Sequence, residues 1–158
     1  MPEPSQMTDR NFLLHAFRGN AAAVEYVLMI AQVVGVWDDL IDKDKVASDA
    51  DINQAFWNLA VMIPRNPFFQ AHMVDLLPVT ATGICNWLIA NKYEKKLFET
   101  RGIEIAHAIR YSIADVAILA AALIGGPKWV EEVGPELRMR SQRSDFKEYV
   151  DSLTARKG

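Results

Sequence analysis

Asp38, Asp39 and Asp42 put three carboxylates within five residues, with a fourth acid, Asp44, just beyond. On a helix Asp42 neighbours both of the others, three residues from Asp39 and four from Asp38. Like charges this close repel, and near a helix C-terminus they also meet the negative end of the macrodipole. Two surroundings relieve that repulsion: the flanking Lys43 and Lys45, or a divalent cation. Carboxylate oxygens with room for water suit Mg²⁺, which binds through one or two carboxylates together with substrate phosphates. The chemistry would then be electrophilic, with Mg²⁺ neutralising a diphosphate-bearing small molecule and making the diphosphate a better leaving group.

Glu25, Gln32 and Asp39 are spaced by seven and return to nearly one face of a helix. Every other residue from Ala21 to Trp37 is apolar or Gly35, so this polar stripe faces either solvent or a polar cavity among helices. After Gly102, the residues Glu104, His107, Tyr111 and Asp115 fall within about 80° of one another at 100° per residue. Glu104 and His107 have Glu-x-x-His spacing, half of a di-iron bundle pattern. No second pair exists, so His107 reads better as a hydrogen-bonded histidine of the core or its edge. Asp115 lies between Ile113-Ala114 and Val116-Ala117-Ile118, where a lone charge is costly. Arg110, Tyr111 or the cation of the aspartate cluster could partner it. Asn86 and Glu94 add polar groups on the preceding helix. The candidate ligands are thus Asp38, Asp39 and Asp42, faced by Glu25, Asn86, Glu94, Glu104, His107, Arg110 and Asp115. Nucleophilic catalysis has no support, because Ser, Cys and His form no elbow or paired arrangement. Gly125-Gly126 lacks the Lys-Ser/Thr of a phosphate loop.

The elements that must position these groups are all helical. Thr8 and Asp9 offer cap oxygens for a short helix that breaks at Gly19-Asn20, and a long helix runs from about Ala21 to about Asp42. After a loop, "KDKVASDAD", Ser48 or Asp49 caps a helix from Asp51 to about Met62. The prolines of "IPRNP" bracket a turn, and a helix starts near Pro67. Pro78 kinks or breaks it before the mostly buried "VTATGICNWLIANKYEKKLFE". Gly102 marks a weak point, and "IEIAHAIRYSIADVAILAAALI" follows as one helix up to Gly125-Gly126-Pro127. Residues 1–8 form a flexible N-terminus, and 128–158 form two amphipathic helices broken near Gly134-Pro135. No strand-like alternation occurs. The expectation is one all-α domain over residues 1–158, a compact bundle of five to seven helices.

A chain of 158 residues with 51% apolar and 23% charged residues has the composition of a globular domain. A net charge of −3 argues against nucleic acid as a partner, which needs concentrated Lys and Arg. The single Cys85 sits in an apolar stretch and reads as a buried, inert thiol. The N-terminus, MPEPSQMTDR, has no secretory signal pattern. Glu25 and Gln32 interrupt the Ala21–Trp37 run, which is marginal for the ~20 residues of a bilayer span; it reads as a core helix, and no membrane span is expected. Trp57, Trp87, Phe68, Phe69 and Trp129 suit a core or an interface equally, which leaves a homo-oligomer open.

Asp38-Asp39-Leu40-Ile41-Asp42 resembles the DDxxD motif of prenyltransferases and class I terpene synthases. In those enzymes the aspartates hold Mg²⁺ ions that grip a diphosphate. The resemblance implies a reduced isoprenoid-synthase-like arrangement, with Asp38, Asp39 and Asp42 as ligands. Asn86, Ala90 and Glu94 have the spacing of the second terpene-synthase element, with Ala90 at its hydroxyl position. The aspartates also look like an analogue of the Glu-Glu-x-x-Glu element of all-α nucleoside-triphosphate pyrophosphatases. Over most of its length, through "VWDDLID", "INQAFW", "PRNPFF", "NWLIANKYE" and "RYSIADV", the chain resembles small helical proteins encoded by bacteriophages and prophages. That resemblance implies the host cytoplasm or the virion as its location. It also implies an alternative to a diphosphate enzyme: a non-enzymatic virion or assembly protein whose partners are phage structural proteins.

Overall fold

The computed structural model describes residues 2–43, 45–97 and 99–157. Among them regular structure is entirely helical. The residues gather into two compact units, Met1–Met73 and Val74–Gly158, with the boundary inside one long helix.

In the first unit, Thr8 caps α1 (Asp9–Ala16) by accepting from Asn11 N. The helix stops where Arg18 and Gly19 take φ of 51° and 80°, and Gly19 N donates back to Leu14 O at 2.8 Å. Asn20 then caps α2 (Ala21–Asp42) by accepting from Ala23 N. Phe12, Ala16 and Phe17 are buried, as are Ala23, Val24 and Tyr26 on α2. The Tyr26 ring stacks on Phe69 at 5.7 Å and lies 6.1 Å from Phe68. Lys43, left-handed at φ 57°, closes α2 through its N–H to Asp39 O.

Ser48 caps α3 (Asp49–Trp57). The chain stays helical through a π-helical turn, Asn58–Met62, and through α4 (Ile63–Arg65). Pro64 therefore does not end the helix; Asn66 does, at φ −68° and ψ 127°, the extended geometry expected before Pro67. Its side chain accepts from Phe69 N at 3.0 Å, starting the next helix, and donates to Ala22 O at 2.9 Å.

That next helix, α5 (Pro67–Glu94), runs through Pro78 without a break. Proline here removes one backbone donor but leaves the helix on either side intact. In the second unit, α6 (Thr100–Ile109) is followed by a 3₁₀ turn (Ser112–Ala114) and α7 (Asp115–Gly125). The expected single helix from Ile103 to Ile124 is thus broken. Ser112 Oγ donates to Ile109 O at 2.7 Å, and the turn lies against α5 at Gly83. A Cβ on Gly83 would stand 2.6 Å from Ile113 Cα, so only glycine admits this approach. After Gly126, at φ 81°, α8 (Pro127–Ser141) packs along α7 and passes through Gly134-Pro135 unbroken. The tail breaks instead at residues 142–145, before α9 (Phe146–Lys157). Ala90, Ile103, Ala106, Tyr149 and Leu153 form the core joining α5, α6 and α9.

Candidate functional site

Asp38, Asp39 and Asp42 lie half-buried on the last turns of α2, where Asp38 and Asp39 project about 100° apart. Among the described residues no three His, Cys, Asp or Glu side chains gather to hold an ion. Asp44 lies outside the described residues. Glu25 is exposed and pairs with Arg10 at 2.6 Å. Gln32, next along the stripe, meets α3: its Nε2 donates to Asp51 O at 3.0 Å, and its Oε1 accepts from the buried Asn58 at 3.1 Å. Asn58 in turn accepts from Gln54. The stripe from Glu25 to Gln32 is a helix-pairing seam, with its outer end in water.

The other candidates lie in the second unit, where a different subset is brought together. Glu94 and Arg110 form an ion pair with side chains only 9% and 4% exposed. Tyr149 donates to the same Glu94 oxygen at 2.6 Å, and Arg110 also reaches Asn91 Oδ1 at 3.4 Å. Burial, and next the Glu94 carboxylate, push the Tyr149 phenol well above its ordinary range. This network ties α9 to α5 and α6. Asp115 pairs with Arg138 on α8 at 2.6 Å, half-exposed. His107 Nε2 sits 3.1 Å from Ser144 O and 3.0 Å from Gln142 Nε2, and its ring lies 4.9 Å from Tyr149. It anchors the connection from α8 to α9. Glu104 is exposed, and Asn86 half-buried. The stripe from Glu104 to Asp115 is cut by the 3₁₀ turn between α6 and α7.

No buried side-chain donor or acceptor among the described residues lacks a partner. Asn91, Arg138, Gln142 and Tyr149 escaped sequence reasoning. Tyr149 and Leu153, four apart in a polar tail, are the one pattern that marks α9 as a docked helix. The chain matches no family model, no curated protein and no solved structure.

What distinguishes the surface is apolar. On α5, Val74 is 82% exposed, Leu77 48%, Ile84 38% and Leu88 52%. Ala81 and Cys85 are exposed between them, so the thiol expected to be buried is on the surface. Phe56, Trp57, Leu59 and Met62 are exposed on and after α3. Three stretches, Ala21–Asp42, Pro67–Glu94 and Thr100–Gly125, are each long and apolar enough to cross a membrane by length and composition, where none was expected. At most a third of the residues in their apolar windows are buried. An open depression of about 470 Å³ adjoins α5, lined by Val79, Ile118, Ala122 and Val130 with the Asp115–Arg138 pair.

Proposed function

We propose that this is a non-enzymatic helical assembly protein of the phage type, working in the virion or during its assembly by packing exposed helix faces against other protein. The observation that carries the reading is the apolar face of α5 from Val74 to Ile89. A contiguous apolar helix face left in water marks a surface that something covers. Polar groups at mid-height favour protein over lipid as the cover. Gln32, eleven residues into α2, bonds the backbone of the exposed Asp51, which would hold α3 carboxylates at mid-bilayer. The half-exposed Asp115–Arg138 pair lines one depression with Val79, which is midway along α5. Charges at such depth are costly in hydrocarbon. The uncharged stretch of α5, Leu76 to Asn91, spans about 24 Å as a helix, short of the ~30 Å hydrocarbon core.

Two measurements test this, fractionation of cells expressing the full chain and calorimetry on the purified protein. After a carbonate wash the protein is expected in the aqueous fraction, and calorimetric titration with Mg²⁺ and pyrophosphate is expected to give no saturable heat. Retention in the washed membranes would make it a lipid-embedded protein instead. A stoichiometric Mg²⁺-dependent pyrophosphate isotherm would return the aspartates to an enzymatic role.

A further inference from the structure

We propose that the occupant of the α5 face is a second copy of the same chain, packed antiparallel along Val74–Ile89; this rests on the assembly reading above. Val74, Leu77, Ala81, Ile84 and Leu88 recur at alternating intervals of three and four, the spacing of a helix-pairing seam. With Pro78, Cys85 and Ile89 beside them they form an apolar face about 140° wide, exposed throughout. The seam is self-complementary when reversed. Leu77 of one copy then meets the partner's Leu88, and the small Ala81 meets the larger Ile84 of the other helix.

Charge selects the antiparallel direction. Asp75 stands at the start of the uncharged stretch and Lys92 at its end. Antiparallel packing brings each Lys92 within a turn of the partner's Asp75 and opposes the two helix dipoles. Parallel packing would set Lys92 beside Lys92, a like-charge contact that disfavours that partner geometry. A helix pair of this length buries about 1,000 Å² in total, the lower limit for a specific interface. The expected dimer is therefore reversible, with dissociation in the micromolar range.

The test uses the full chain in detergent-free buffer, by sedimentation velocity and by disulfide trapping. The wild type should shift from 17.7 kDa to twice that mass as concentration rises. Ala81→Glu alters an exposed position and should keep its helical circular dichroism while weakening the dimer about a hundredfold. In a Cys85→Ala background, Leu77→Cys and Leu88→Cys chains should cross-link when mixed and fail to cross-link alone. A wild type that stays monomeric to high concentration overturns the pairing, as does a dimer indifferent to Ala81→Glu. Cross-linking of each cysteine variant with itself would overturn the antiparallel direction. None of these failures bears on the carbonate or Mg²⁺ tests, so the pairing and the assembly reading fail separately.

Discussion

Replacing Arg110 with methionine should be among the most damaging single changes in the second unit. Arg110 and Glu94 are both almost fully withdrawn from water, and methionine fills similar volume without supplying a counter-charge. Glu94 would keep its hydrogen bond from Tyr149 but stand as an uncompensated buried carboxylate, which costs about 3–5 kcal/mol. With a urea slope of about 2 kcal/mol per molar, the unfolding midpoint should fall by about 1.5–2.5 M. The double variant Arg110→Met with Glu94→Leu removes both charges and should recover most of that loss. The assay is urea unfolding by far-UV circular dichroism, at one fixed protein concentration because association would itself move the midpoint. Arg10→Met, at the exposed pair with Glu25, is the control and should leave the midpoint unmoved. An Arg110→Met midpoint as unmoved as the control's would refute the claim that this pair is buried and structurally coupled.

Gly83→Ala drives a Cβ into the Ile113 backbone and should destabilise by about 1–3 kcal/mol despite the better helix propensity of alanine, measured by thermal unfolding. Tyr149 adds a pH dependence. Its phenol is held above its ordinary value in the folded chain, so its contribution is complete below about pH 10, where the unfolded phenol begins to ionise, and is lost above that. The wild type should therefore lose stability between pH 10 and 11.5 more steeply than Tyr149→Phe, by up to about 1.4 kcal/mol per pH unit; parallel curves would remove Tyr149 from the buried network. Asn58→Leu strips partners from Gln32 and Gln54 and should cost about 1–3 kcal/mol, read from the urea midpoint of the same chain.

Helix positions were legible wherever caps and breakers coincide with an apolar pattern. Asn20 and Lys43 bound α2 at the expected residues, and Asn66-Pro67 starts α5 where proline chemistry requires. Proline alone misled at Pro135, and at Pro78 the break is excluded and not the kink: both sit inside continuous helices, because neighbouring turns hold the segment and one lost donor does not end it. The 3₁₀ break at Ser112 was hidden, since it follows from the contact with Gly83 and not from local propensity. The candidate polar residues were recognised as needing partners, but their pairing was not. Glu94 could find Arg110 and Tyr149 only once α9 had folded back, and the charge on Arg138 that meets Asp115 lies 23 residues away. Exposure was the least legible property. The α5 seam and a buried helix have the same composition, so Cys85 reads as buried until the helix is given neighbours.

Cys85 also provides the most direct measurement of whether a second copy covers the α5 face. Its thiol is exposed in the single chain and lies within the seam. Its labelling rate with a thiol reagent, in detergent-free buffer, should fall as protein concentration rises through the association range. In Ala81→Glu it should stay at the rate of an open thiol. A rate independent of concentration in the wild type would overturn the pairing.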